Sequence, residues 1–457
     1  MCLINPKIYM DNRKDFILTM NLRKVMWQTS WPAVAAIVLY GLNNFLDALL
    51  VGRLVGPQAL AAVGLAYPLS QIVMGFGRLI GTGASAALSI WLGANDSAKL
   101  KQLFGNLNIL SISCAALFAI PAYIFAENLL MLMGAKGELV AIAASYFRVT
   151  LIGSVFWIHG FSVNMLIRGE GKMKTAACMI GTGLLIDIVL KPIFILVLHG
   201  GVVGAAWATN TAMVIYSAMG LIYFARNKSF FRNEWYSLKP TKAVAKKIIT
   251  LGFPEMLFSI MSVIQSMLIL QAISRYGTQQ DLLFYTIVNR FYLLLLTPLF
   301  GLMRGLQPVA GINYGAGNML RAKKSLLIAI TAGIVIVLPF WIVALFFPNV
   351  LWAWMVPHVV LSAVHVLNLR IYLSVLPFLP VIVMALAYFP AINQAKKASQ
   401  LAMLRQLFFY LPATLILPVF FGVNSIFWGS ACIELLVILI TLWMLKRPVL
   451  KLSVKTI

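Results

Sequence analysis

The sequence predicts an all-α membrane protein: twelve transmembrane helices in two pseudo-symmetric six-helix bundles, with the N- and C-termini cytoplasmic. Three observations predict it: extreme apolar composition, long charge-free runs, and basic residues gathered in alternate loops. The 457 residues are 61% hydrophobic and 11% charged, with a mean hydropathy of +0.93. A soluble chain carries about 25% charged residues. A chain this apolar cannot cover itself with polar surface, so its solvent is lipid. Lipid offers the backbone no hydrogen bonds, which leaves a helix bundle or a closed barrel. Barrel strands would show alternating segments of roughly ten residues. The runs 109–126 and 326–347 are instead continuous and uncharged, long enough to cross about 30 Å as helices.

In chain order the spans are 31–52, 63–90, 104–131, 140–166, 175–198 and 202–225 in the first half. Those of the second half are 250–274, 282–303, 325–347, 364–390, 406–422 and 426–445. The N-terminus, the loops after even-numbered spans and the C-terminus together hold 28 Lys and Arg, against 3 in the other loops (Arg53, Lys136 and Arg275). That asymmetry places both termini in the cytoplasm. It also reads the net charge of +24 as membrane orientation and excludes a nucleic-acid partner. The polar stretch 5–23 is an amphipathic cytoplasmic lead-in, with no cleavable signal peptide evident.

The charged stretch Arg226–Lys247 divides the spans six and six. The expected organisation is a cytoplasmic segment 1–30, a bundle 31–225, a cytoplasmic linker 226–249, a bundle 250–445 and a cytoplasmic tail 446–457. The halves match at an offset of about 222 residues: Pro32 with Pro254, Arg53 with Arg275, Gly93-Ala94 with Gly315-Ala316, Lys174 with Lys396 and Gly200 with Gly422. Trp207 and Trp428 match at 221. Six spans per half make the repeats parallel, related by an axis along the membrane normal, with a substrate cavity near their interface.

Other classes find little support. Cys114, Cys178 and Cys432 lie in apolar segments as small core residues, and with Cys2 they show neither metal spacing nor a disulfide framework. His159, His199, His358 and His365 show no metal-ligand spacing, so neither a metal nor a catalytic cluster is expected. No glycine-rich loop ends in a Walker lysine, so ATP is not the direct energy source and no cofactor is called for. The Trp352–Trp354 pair reads as interfacial belt.

Several stretches resemble the multidrug and toxic compound extrusion (MATE) family of the multidrug/oligosaccharidyl-lipid/polysaccharide flippase superfamily. They are the first span from Pro32 through Asp47 to Val51-Gly52, the run Asn164-x-x-x-Arg168-Gly169-Glu170-Gly171, and Pro192-Ile193-Phe194-Ile195 followed by Gly204-Ala205-Ala206-Trp207-Ala208-Thr209. The most specific is Gly305-x-Gln307-Pro308-x-x-Gly311-x-Asn313-Tyr314-Gly315-Ala316. The resemblance covers essentially the whole chain. It implies a secondary-active exporter driven by protons or sodium, with Pro32 as a hinge. The family's first-half polar cluster falls on Asp47, Asn164, Asp187, Lys191 and Thr209. Two positions depart from the family pattern: Asp187 stands where Asn is usual and Lys191 where Asp is usual. An ammonium there would occupy the place and charge of a bound sodium ion.

Charges inside spans are costly and ask for a reason. Asp187 and Lys191 are i and i+4 on one helix face, in the favourable order. They are either a structural ion pair or a proton site in which Asp47 competes with Asp187 for Lys191. Asn43, one turn before Asp47, faces the same cavity, whereas Asn44 serves helix–helix hydrogen bonding. Arg78 and Arg290 lie mid-span; each is paired with Glu255 or Glu434, or contacts an anionic or zwitterionic substrate. Glu255 also fits a helix N-terminal charge, and Glu434 is the deeper second-half candidate.

The leading expectation is therefore a monomeric antiporter in a bacterial inner membrane, exchanging small organic molecules, cationic ones among them, for protons or sodium. The alternative is a flippase or exporter of a lipid-linked or anionic precursor. A membrane-embedded enzyme ranks below both, for want of a convergent acid–base set.

Overall fold

The computed structural model describes residues 14–226, 228–229, 240–349, 352 and 362–446. Cys2, His358, Trp354, the start of the lead-in, much of the linker and nearly all of the tail lie outside them, as does the side chain of Asn44. Among the described residues eleven helices are long and apolar enough to span a membrane, and one bent pair supplies a twelfth.

The first half comprises α1 (Leu22–Leu54), α2 (Pro57–Gly93), α3 (Ser97–Ile124), the short α4 (Ala126–Leu132), α5 (Glu138–Ile152), α6 (Ser154–Gly169), α7 (Met173–Pro192) and α8 (Gly201–Ala225). The second half comprises α9 (Lys242–Tyr276), α10 (Gln279–Gly315), α11 (Met319–Phe346), α12 (Ala363–Ser374), α13 (Leu379–Ala391), α14 (Ala395–Met403), α15 (Leu411–Phe421) and α16 (Asn424–Lys446). A π-helical segment, Ile193–Val197, extends α7, and another, Leu404–Tyr410, joins α14 to α15.

Several helices outrun the predicted spans, chiefly at the end carrying the basic loops. α10 was expected to stop at residue 303 but continues to Gly315. Its last turns are not a loop because they are buried among small residues of α2, where helical backbone is the cheapest way to satisfy its own polar groups. The third span ends early, at Ile124, after Pro121. Glu127 then sits in α4, where it accepts a hydrogen bond from Arg148 at 3.0 Å.

The fourth span is bent by 51° between α5 and α6. The cause is local. Asn210 of α8 presses against Gly153, where a Cβ would lie 2.0 Å from Asn210 Oδ1. Its Nδ2 donates at 2.6 Å to the Val149 carbonyl, whose helical bond from Gly153 N–H is stretched to 3.4 Å at the break.

The halves meet through paired small residues. A Cβ on Gly83 would sit 2.0 Å from Ile248 O, and one on Gly252 would sit 1.7 Å from Leu79 O, so α2 and α9 touch backbone to backbone. A Cβ on Gly305 would sit 2.5 Å from Ser30 Oγ, so α10 also packs closely on α1. Adding 222 to Gly83 gives Gly305, and subtracting 222 from Gly252 gives Ser30, so the two contacts are one contact repeated. Gly93 and Gly315 are themselves 222 apart and abut, a Cβ on Gly93 lying 2.9 Å from Gly315 Cα. Equivalent residues that touch each other lie on the axis relating the halves. That axis therefore passes between Gly93 and Gly315, at the basic end.

Two minor expectations fail. Cys178 and Cys432 are on the outer surface rather than in the core, because they fall on the lipid-facing sides of α7 and α16. Trp352 is only 6% exposed and packs on Phe284 with ring centroids 5.7 Å apart, so it is core rather than interfacial belt.

Candidate functional site

α1 and α7 pack side by side and in register. Ala36, Tyr40, Asn43 and Asp47 recur at helical spacing on one face of α1, and Ile180, Leu184, Asp187 and Lys191 do the same on α7. Each pair is separated by 144 residues. The halves of this seam nearer the basic end wall a cavity, and the outer halves carry a charged cluster.

In the cluster Lys191 is 2% exposed. Its ammonium donates to Asp187 Oδ2 at 2.6 Å and also to Asp47 Oδ1. Asn43 Nδ2 reaches Asp187 Oδ2 at 3.4 Å. Asp187 Oδ1 and Asn43 Oδ1 are buried without a hydrogen-bond partner. Asp47 is the most open member, with 31% of its side chain exposed. The α-helix ends immediately after Lys191, at Pro192 and the π-helical segment. With both acids ionised the cluster carries one net negative charge; one added proton makes it neutral.

The other two members of the inferred first-half cluster make their hydrogen bonds outside it. Asn164 donates from Nδ2 to the Ala176 carbonyl at 2.8 Å and accepts from Arg168 Nε at 3.0 Å. Thr209 hydroxyl bonds its own helix at Ala205 O, 3.2 Å away. Pro32 is buried inside α1, ten residues from its start.

The second-half acids are paired, but not with the expected arginines. Glu255 accepts from Arg304, and Glu434 accepts from Arg405 Nε at 3.1 Å and from Tyr410 hydroxyl at 2.8 Å. Arg78 instead donates to Ser259 hydroxyl across the two halves. Arg290 faces outward and is exposed. Nor is Glu255 a helix-terminal charge, since α9 begins at Lys242, more than three turns earlier.

Sequence reasoning placed Arg168, Arg304 and Arg405 in cytoplasmic loops, because an arginine beside an apolar run reads as its border. All three lie inside the helical stretches instead, and removing them from the count leaves the basic bias at 25 to 3. The available signal was the glycine- and alanine-rich composition on both sides of the repeat, which suits buried helix contacts better than loops.

The cavity of about 230 Å³ between the halves is walled by Tyr40, Trp157, Phe161, Met165, Phe258 and Phe300 among others. Its charged lining consists of Arg78, Arg168, Arg304 and Glu255. Among the described residues no group of His, Cys, Asp and Glu is arranged to hold a metal ion.

The MatE family model matches the chain twice, over residues 32–193 and 254–416, with starts 222 residues apart. The multidrug export protein MepA of Staphylococcus haemolyticus is 24% identical over 426 residues, which cover 91% of this chain and 90% of that protein. MepA of Staphylococcus aureus strain MRSA252 is 26% identical over 67% of this chain and 68% of its own length. Among solved structures, a MATE transporter in a bent conformation has a TM-score of 0.88 at 25% identity, covering 95% of this chain and 96% of that one. A superfamily transporter from Pyrococcus furiosus, described as having a binding pocket of reversed polarity that suggests a different function, has a TM-score of 0.84 at 26% identity, covering 95% and 98%. A doubled family match over most of the chain, on a doubled bundle of membrane-spanning helices, identifies the chain as a member of the MatE family, a multi-pass membrane transporter rather than an enzyme.

Proposed function

We propose that this transporter is a proton-coupled antiporter that exports small amphipathic organic molecules as a monomer, by alternating access between its two helical bundles. The observation that carries the coupling is Lys191 held between Asp47 and Asp187. The ammonium fills the space between the carboxylates, which disfavours a sodium ion there and leaves a proton as the exchangeable cation.

Protonating Asp47, the more open acid, releases Lys191 wholly to Asp187. Neutralising one partner loosens the bond between α1 and α7, and both helices continue into the cavity wall. Proton binding on the outer side and substrate occupancy of the cavity thus act on one pair of helices. The close glycine contacts support reading this conformation as one sealed at the basic end, which is cytoplasmic in this proposal, and Pro32 would supply a place where α1 bends as the seal opens. The relatives named as multidrug export proteins support the export direction, and the aromatic and methionine lining suits varied apolar ligands.

The test is transport by purified protein in proteoliposomes under an imposed pH gradient or an imposed sodium gradient. The expected result is uptake with the pH gradient alone and at least about a tenfold loss in Asp47→Asn, the loss that about 1.4 kcal/mol of coupling would give. Transport driven by sodium at constant pH would overturn the assignment.

A further inference from the structure

We propose that the central cavity selects anionic amphiphiles, binding a carboxylate, sulfonate or phosphate head on Arg168 and Arg78 while the apolar body lies against the aromatic wall. This deepens the export reading by naming the substrate class, and it rests on that reading for the direction of movement.

Three guanidiniums and one carboxylate line the cavity. The carboxylate, Glu255, is already engaged by Arg304. Among the described residues no acid lies within ion-pairing distance of Arg78 or Arg168. Asp47 and Asp187, the acids of the coupling cluster, are held by Lys191 and are not part of the lining.

Arg168 is the decisive residue. It is 3% exposed, and among the described residues its one hydrogen bond runs from Nε to Asn164. Its Nη1 is buried with no hydrogen-bond partner. A buried guanidinium lacking both a counter-charge and a partner for one of its nitrogens is expensive in a membrane protein. An oxyanion in the cavity would supply both, and the planar fork of arginine suits two oxygens of one head group. Arg78, whose one hydrogen bond among the described residues goes to the neutral Ser259, adds a second full positive charge across the same space. A cationic ligand would meet a net positive lining instead.

Two sources share this chemistry, a water-soluble organic anion and an anionic lipid. Equilibrium binding to wild type in nanodiscs of phosphatidylcholine separates them with three probes: 8-anilinonaphthalene-1-sulfonate, lysophosphatidic acid and tetraphenylphosphonium. The expected result is that at least one anion binds about tenfold or more tighter than tetraphenylphosphonium. The anion that does so names the source. The same affinity should fall about tenfold in Arg168→Gln and in Arg78→Gln, with less loss in Arg168→Lys. Arg78→Gln carries the test alone should Arg168→Gln fail to yield folded protein. Equal or tighter binding of tetraphenylphosphonium, or anion affinity unmoved by both charge removals, would overturn the proposal. The export reading fails separately, if a bound anion is not carried across proteoliposome membranes under a pH gradient.

Discussion

Lys191 and its two carboxylates divide the work of one buried charge among three side chains. Removing the ammonium leaves two acids facing each other with nothing between them, and breaking a buried pair costs about 3–5 kcal/mol. Lys191→Met is therefore expected to lower the apparent melting temperature of the detergent-purified protein, and Lys191→Met combined with Asp187→Asn to recover part of the loss. A melting temperature unchanged by Lys191→Met would show that the cluster is not holding α1 to α7. Arg405 and Glu434 form a separate buried pair in the second half, at positions unrelated by the repeat, with Tyr410 as a third member. Arg405→Met should destabilise by a similar amount, and Glu434→Gln in the same chain should offset part of it. The charged residues of α7 were legible in the sequence because an acid and a base four residues apart share one helix face, and inside an apolar run each is costly unless paired. The partners of Glu255 and Glu434 were not. Arg304 and Arg405 border apolar runs, and only the packing of the two halves shows that the helices continue through them.

At the scale of the elements, the bend between α5 and α6 depends on one side chain from α8. Asn210→Ala would remove the shorter of the two hydrogen bonds to the Val149 carbonyl, leaving only the 3.4 Å bond from Gly153 N–H, at a cost of about 1 kcal/mol, visible as a lower melting temperature with the same elution profile. A loss of folded protein no greater than that of a surface control such as Asn318→Ala would contradict this account of the bend. Single-sequence reading drew this span as one segment, 140–166, since nothing at Gly153 itself announces a neighbour 57 residues away. The opposite holds for α10. Its polar, glycine-rich ending stood out in the sequence as a motif, yet its physical meaning is contact. Gly305 and Gly315 lie against α1 and α2 so closely that neither position has room for a Cβ. Gly315→Val should accordingly prevent the halves from closing at the basic end, and limited proteolysis of the linker should become faster in that variant.

For the whole molecule, the duplication visible in the sequence becomes an axis in the structure. Residues 222 apart make equivalent contacts, and Gly93 meets its own repeat partner. If transport requires the halves to separate there, Gly93→Cys with Gly315→Cys, in a background lacking the four native cysteines, should cross-link on oxidation and stop transport, with activity returning on reduction. The number of spans followed from the long apolar runs, and the six-and-six division was read from the charged stretch 226–247 and the 222-residue offset. A cavity between the halves was expected from the repeat, but most of its lining was not, because its walls come from helices far apart in sequence and Arg168 and Arg304 resembled loop charges. Under the proposed mechanism the two polar features have separate tasks: Lys191 and its carboxylates on the seam would respond to protons, and the arginines of the cavity would meet the substrate.

That division of tasks is tested most directly by recording the pH inside proteoliposomes, loaded with a pH-sensitive dye, as a transported substrate is added outside without any imposed gradient. Wild type should move protons in the direction opposite to the substrate. Asp47→Asn should bind the substrate with near-normal affinity yet move no protons. Proton movement by Asp47→Asn at the wild-type rate would contradict the assignment of coupling to the cluster around Lys191.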